Sequence, residues 1–271
     1  MPELPEVETT RQGISPHITG QHVKQVVVRQ PRLRWPIPED LLQQLKGRKL
    51  LSVGRRGKYL LLSFNNGTLI IHLGMSGSLR IVDQGSVAQK HDHFDLQFRD
   101  GKLLRLRDPR RFGAVLWTDE PPTEHPLIAS LGPEPLEDEF NGDYLHAQGR
   151  SRRIAVKQLI MESKIVVGVG NIYANESLFK SAIHPIRPSN RISSERYQRL
   201  AQTIQETLKA AITQGGTTLR DFRREDGKPG YFAQQLQVYG KTGEPCPICG
   251  NPIQNKTIAQ RSTFFCTSCQ R

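Results

Sequence analysis

Four cysteines stand in two pairs, Cys246-Pro-Ile-Cys249 and Cys266-Thr-Ser-Cys269, with sixteen residues between the pairs. Each pair makes a tight knuckle that offers two thiolates, and the stretch between can run out and back as a hairpin. Four thiolates so placed close a tetrahedron around one Zn²⁺. Two disulfides or a redox pair are the alternatives, and neither explains two knuckles. A four-cysteine site leaves no open coordination position, so this zinc is expected to hold structure rather than react. The hairpin between, 255–265, interleaves Lys256, Gln260 and Arg261 with apolar residues, which suits a β-ribbon laid on nucleic acid.

The other chemically suggestive stretch is Met1-Pro2-Glu3-Leu4-Pro5-Glu6-Val7-Glu8. A proline after the start methionine is the kind of residue whose initiator is usually removed. Removal leaves a secondary amine at Pro2 with a carboxylate beside it at Glu3. An α-amine has a pKa of roughly 7.7–8, so it is partly neutral near pH 7, as a nucleophile must be. On these eight residues alone a plain helix start is the simpler explanation, with proline in the first turn and Glu6 and Glu8 at its positive end. The two readings are compatible, since a helix start fixes where a terminus points.

Three further constellations stand out. Ser163-Lys-Ile-Val-Val-Gly168-Val-Gly170-Asn171 lies between two expected helices, with Asn171 placed to cap the second. Arginines and lysines cluster at 29–34, 55–58, 105–111 and 150–157. His72-Leu-Gly74-Met75-Ser-Gly77 and Asp108-Pro109-Arg110-Arg111-Phe112-Gly113 each end an expected strand. Met or Phe at such a place is core, or it is a wedge of the kind that unstacks a base step. Arginine is suited to an orphaned base edge.

The elements that must carry these residues change character along the chain. Of 271 residues, 36% are hydrophobic and the formal net charge is +12, enough for a core and pointing to a polyanionic partner. After a helix at 5–14, β-branched and alternating segments are expected as strands at 23–29, 49–53, 58–64, 68–73, 78–82, 93–99, 102–107 and 114–118, with a brief helix at 40–45. Asn65-Asn66-Gly67 and Asp100-Gly101 read as hairpin turns. Residues 119–143 hold eight acidic side chains, no Lys or Arg and five prolines, and read as a linker with at most one short helix near 126–131. Helices are expected at 143–148, 153–162, 171–181 and 195–213. The last has a clean apolar stripe through Tyr197, Leu200, Ala201, Ile204, Leu208, Ala211 and Ile212. Residues 217–233 read as a basic, glycine-containing loop. The fold class is therefore α+β multidomain. A β-sandwich or flattened barrel with a leading helix occupies 1–118, a linker 119–143, a helical domain 144–233 and a zinc ribbon 234–271. No apolar run is of membrane length and no signal segment opens the chain, so a soluble protein of a reducing compartment is expected.

Taken together these motifs resemble the formamidopyrimidine-DNA glycosylase family, bacterial base-excision repair enzymes for oxidised purines. The resemblance runs from Pro2 to Cys269. It implies a β-sandwich, a helix–two-turns–helix domain and a zinc finger. It implies that the Pro2 amine attacks C1′ of the damaged nucleotide, with Glu3 as proton donor. It implies Lys58 as a donor in β-elimination, and Arg261 as the grip on the lesion phosphate and donor in δ-elimination. Met75, Arg110 and Phe112 match the side chains that fill the void left by an extruded base, with Arg110 facing the orphaned base. His91, Arg152 and Asn171 match DNA contacts, and 217–231 matches a loop that closes over the base. Cys246, Cys249, Cys266 and Cys269 match the ligands of one structural zinc. The implied partner is double-stranded DNA carrying oxidised purines or abasic sites. The implied setting is a monomer in the bacterial cytoplasm, at the nucleoid.

Two rivals stand beside this reading. One is an endonuclease VIII-type glycosylase for oxidised pyrimidines, which shares the Pro-Glu start, the helical motif and the finger. The set Met75, Arg110 and Phe112 favours the purine enzyme. The other is a non-catalytic DNA-binding zinc protein, for which Pro2 and Glu3 would be incidental.

Overall fold

The computed structural model describes residues 2–217 and 232–271. The chain divides into two compact units, one of residues 1–130 and 214–233, the other of 131–213 and 234–271. The expected loop at 217–233 therefore falls largely outside the described residues.

The first unit opens with α1 (Leu4–Ile18), followed by β1 (Val23–Val28) and α2 (Leu41–Leu45). Seven strands come next: β2 (Ser52–Arg56), β3 (Tyr59–Phe64), β4 (Gly67–His72), β5 (Ser78–Asp83), β6 (Asp92–Phe98), β7 (Lys102–Arg107) and β8 (Ala114–Thr118). They form two antiparallel four-stranded sheets of order β1-β6-β7-β5 and β2-β3-β4-β8. In β3 burial alternates residue by residue, the period of a strand with one face on a core. Leu60, Leu62 and Phe64 enter one cluster with Leu96, Phe98 and Leu104 of the other sheet and Val7, Ile14 and Ile18 of α1. The helix that carries the terminus is thus built into the sandwich core. A short α3 (Pro126–Ala129) follows.

The bounds of α1 and β2 differ from expectation for local reasons. Helix α1 runs on past Pro16 to Ile18. A proline so near the end removes one interior hydrogen bond, and burial of Ile18 offsets that loss. Strand β2 begins at Ser52 and continues to Arg56, because Arg56 pairs directly with Tyr59 across a two-residue loop. That loop is Gly57-Lys58, and Gly57 has φ of 56°. A glycine with positive φ at the first loop position is the requirement of a type II′ hairpin turn.

The second unit contains α4 (Gly142–Gly149), α5 (Val156–Met161), α6 (Asn171–Lys180) and α7 (Ser194–Thr213). A two-stranded hairpin, β9 (Gln254–Ile258) with β10 (Arg261–Phe265), completes it. The connection from α5 to α6 makes tight turns, with the N–H groups of Ile165 and Val166 both on the carbonyl of Glu162 and Gly168 at φ 81°. Gly170 is the N-cap of α6 in extended geometry. Asn171 is therefore the first helical residue and does not cap the helix as expected. Its side chain serves the hairpin instead.

Candidate active site and DNA interface

In the first unit Pro2 is buried, one residue ahead of the N-cap Glu3. Glu3 itself is 3% exposed and Glu6 2%. The N–H of Glu3 donates to Glu6 Oε2 at 2.8 Å, and the other carboxylate oxygen of Glu6 accepts the N–H of Thr217 at 2.8 Å. Two N–H donors on one buried carboxylate fix the first turn firmly. The pinned turn determines where the nitrogen of Pro2 lies.

Lys58 sits on the Gly57-Lys58 turn. Its hairpin is tied to α1 by Arg55, whose Nε donates to Glu8 at 3.0 Å and whose Nη1 donates to the carbonyl of Gly57 at 2.9 Å. Glu8 also pairs with Arg11 at 2.7 Å. Burial acts to raise the Glu8 pKa, but the bonds and charges of Arg11 and Arg55 outweigh it and leave it lowered. The Lys58 charge is felt at His72. Burial, then Lys58 and Arg34, push the His72 pKa down to about 4. The ring is therefore neutral at pH 7. Its Nδ1 accepts the N–H of Gly74 at 3.0 Å, which leaves the proton on Nε2.

Met75, Arg110 and Phe112 come together at one rim. Arg110 Nη2 donates to the carbonyl of Met75 at 3.1 Å, and its Nε to Ser76 Oγ at 3.3 Å. Phe112 is 49% exposed, unusual for a phenylalanine in a well-packed sandwich and apt for a wedge. His91 joins this rim through the N–H of Asp108 on its carbonyl at 3.0 Å. Its φ is 77°.

The second unit holds Arg152, Asn171, Arg261 and the cysteines. Arg261 is exposed at the start of β10. The next residues are clasped from the helices: Asn171 Nδ2 donates to the carbonyl of Ser262 at 2.9 Å. Lys157 Nζ donates to the same carbonyl at 3.0 Å and to Thr263 Oγ1 at 2.7 Å. The N–H of Phe264 donates to Asn175 Oδ1 at 2.8 Å. Arg152 lies just past the C-cap of α4 and bonds Gln148.

Several charges expected to face a polyanion are consumed inside the fold. Lys157 is 1% exposed and holds the hairpin. Arg105 is 4% exposed and pairs with Asp95 at 2.8 Å. Arg29 pairs with the same carboxylate, and Arg55 with Glu8. Sequence reading placed Glu6 only at a helix start and missed its tie to Thr217, as it missed Asn175 and the clasping role of Lys157, because these contacts join residues distant in sequence. For His72 the signal was its place in the His-Leu-Gly-Met-Ser-Gly run.

The four cysteine sulfurs lie within 4.8 Å of one another. Cys246 and Cys269 are 3.8 Å apart and Cys249 and Cys266 3.5 Å. A tetrahedron with Zn–S bonds of ~2.3 Å has sulfurs about 3.8 Å apart, so the set fits one zinc ion. Burial and the three neighbouring thiols push the Cys269 pKa up to about 12; a divalent cation reverses that sign.

Comparison with known proteins decides the family. Residues 1–115 match the formamidopyrimidine-DNA glycosylase N-terminal domain, 131–223 the H2TH domain of the same enzymes, and 243–271 the zinc finger found in FPG and IleRS. The formamidopyrimidine-DNA glycosylase of Methylococcus capsulatus is 59% identical over 271 residues, covering all of both chains. The chain belongs to the formamidopyrimidine-DNA glycosylase family. The enzyme of that name from Nitrosococcus oceani is 58% identical, again over both whole chains. Among solved structures, the MutM (Fpg) protein of Thermus thermophilus matches with a TM-score of 0.89 and 38% identity, covering 99% of this chain and 98% of that one. Lactococcus lactis Fpg bound to DNA containing an abasic site matches at 0.92 and 33%, covering 99% of each chain. The finger of this family member accordingly takes one structural zinc on Cys246, Cys249, Cys266 and Cys269.

Proposed function

We propose that this chain excises oxidised purines from double-stranded DNA and then cleaves the abasic site, with the backbone nitrogen of Pro2 as nucleophile. The observation that carries the reading is the buried first turn, where Glu6 pins the residue after Pro2. The solved Lactococcus lactis relative holds DNA with an abasic site in one structure and N7-benzyl-Fapy-dG DNA in another, which supports the substrate class.

The chemistry follows from a free Pro2 amine. Its lone pair attacks C1′, the glycosidic bond breaks toward the base, and Glu3 supplies the proton that the departing base needs. The C1′–O4′ bond of the sugar ring then opens, with the amine proton passing to O4′, and nitrogen and C1′ are left joined as an iminium, an electron sink that acidifies the C2′ proton. Loss of that proton expels the 3′ phosphate, and a second elimination expels the 5′ phosphate, leaving a one-nucleotide gap. Lys58 and Arg261 are assigned as proton donors in the two eliminations, with Arg261 also on the lesion phosphate. Met75, Arg110 and Phe112 occupy the void, and Arg110 faces the orphaned base. His91, Arg152 and Asn171 contact the DNA, whose neutralised phosphates would make binding salt-dependent. The zinc, when bound, supplies a crosslink that fixes the hairpin bearing Arg261.

We take the enzyme to be a monomer in the bacterial cytoplasm at the nucleoid. None of the described helices is long and apolar enough to cross a membrane.

The test is reductive trapping. Borohydride added during reaction with an 8-oxoguanine duplex should give a covalent adduct that peptide mapping places on Pro2, with Met1 absent. Loss of trapping in Pro2→Gly is expected. An adduct on any side chain overturns the reading.

A further inference from the structure

Arg110 and Met75 belong to separate loops, yet they behave as one part. The loop 108–113 is closed on itself, because Asp108 Oδ2 accepts the N–H of Gly113 at 2.7 Å and the carbonyl of Asp108 accepts the N–H of Arg111 at 3.2 Å. Arg111 is held at φ 57°, a left-handed geometry that a non-glycine residue adopts only when its surroundings impose it. Asp108 is completely buried. Its other oxygen meets Ser76 Oγ in a long contact of 3.5 Å, and the same hydroxyl receives Arg110 Nε at 3.3 Å. The loops also touch backbone to backbone. A Cβ on Gly74 would lie 2.4 Å from the carbonyl carbon of Phe112, and one on Gly113 would lie 2.7 Å from the carbonyl oxygen of His72. His93 closes the far side, with Nε2 3.0 Å from the Asp108 carbonyl.

We propose that Asp108 and Ser76 are positioning residues for discrimination of the base opposite the lesion. They set the angle at which the Arg110 fork meets that base. This rests on the reading that Arg110 faces the orphaned base. Cytosine offers a fork two adjacent acceptors, O2 and N3, whereas the Watson–Crick edge of adenine offers N1 beside an amino donor. A fork with Nε and one Nη committed to Ser76 and Met75 cannot turn to suit a different edge. Preference for cytosine is thus a property of the two joined loops rather than of Arg110 alone.

The experiment compares kcat/KM on 8-oxoguanine opposite cytosine with that opposite adenine. General damage to the fold lowers both together and leaves their ratio unchanged. Arg110→Ala should lower the ratio about 10-fold, the worth of a bidentate base contact. Ser76→Ala and Asp108→Ala should each lower it about 3- to 5-fold, the scale of one lost hydrogen bond. Asp108→Asn retains an acceptor for Gly113 N–H and should stay near the wild-type ratio. If Arg110→Ala lowers the ratio but Ser76→Ala and Asp108→Ala do not, the inference is overturned and the role of Arg110 stands. If Arg110→Ala leaves the ratio unchanged, both fall. An Asp108→Asn ratio as low as that of Asp108→Ala overturns the hydrogen-bond account. Should Asp108→Ala not fold, Ser76→Ala decides.

Discussion

Glu6 accepts the backbone N–H of Glu3 on one carboxylate oxygen and that of Thr217 on the other, each at 2.8 Å. One buried anion thus joins the first turn of α1 to a residue more than two hundred positions away. Removing it leaves two buried N–H groups without that acceptor. Glu6→Ala is expected to destabilise the protein by about 3 kcal/mol, the scale of two charge-assisted bonds at the low end of their range. Urea unfolding measures this. The imine-trapping rate should fall as well, and an unchanged rate in a destabilised protein would separate Glu6 from the aim of Pro2.

His72 gives a pH dependence with a definite sign. Its folded pKa is depressed from 6.5 to about 4, so between those values the unfolded chain binds more protons. The neutral ring therefore contributes stability that is full above pH ~6.5 and is lost as pH falls toward 4. The contribution is on the order of 3 kcal/mol. In His72→Asn the amide oxygen can still take the N–H of Gly74, and no titration remains. The wild-type protein should lose more unfolding free energy than this variant between pH 7.5 and 4.5. Equal losses would remove His72 as the cause.

Much of the architecture was legible because it depends on local pattern. Strands β7 and β8 fall at 102–107 and 114–118 as alternation and turn chemistry required, and the cysteine spacing alone defined the finger. What could not be read was the destination of charge. Arg29, Arg55 and Arg105 sit in basic clusters that look like a solvated or DNA-facing surface. Their partners Asp95 and Glu8 lie 10 to 66 positions away, and no periodicity encodes such a pairing. Lys157 illustrates the same point, since its acceptors lie 105 and 106 positions on. The candidate site was legible as motifs, but the ties among Met75, Ser76, Asp108 and Arg110 appear only once β4, β5, β7 and β8 bring their ends together.

Lys157 itself can be tested. Lys157→Met keeps much of the side-chain volume and deletes the ammonium that holds Ser262 and Thr263. The loss should be about 1–3 kcal/mol in hairpin anchoring. If Arg261 acts in the second elimination, products should shift toward those of β-elimination alone on a sequencing gel. Unchanged product ratios with lowered stability would confine Lys157 to a structural part.

Zinc removal probes the finger as a whole. Structural zinc in small fingers contributes folding free energy on the order of 10–16 kcal/mol, more than Phe264 and Phe265 can replace by their packing on Tyr239 and His184. Chelation should abolish duplex binding in a fluorescence anisotropy titration, and added Zn²⁺ should restore it. Tight binding by metal-free protein would show that the hairpin stands without its ion.

The sharpest division of labour concerns Glu3. Two routes lead to the same imine: from an intact damaged nucleotide, where a base must leave, and from an abasic site, where none does. A buried carboxyl that protonates the departing base is needed only on the first route. Glu3→Gln preserves the shape of the first turn and its N–H bond to Glu6, but a glutamine carries no transferable proton. Release of 8-oxoguanine should therefore fall by about 10²- to 10⁴-fold, the usual worth of a positioned acid. Cleavage of a preformed abasic site should fall much less. Single-turnover rates on the two substrates, run side by side, give the answer. Parallel losses would mean that Glu3 serves the amine or the fold and not the leaving base.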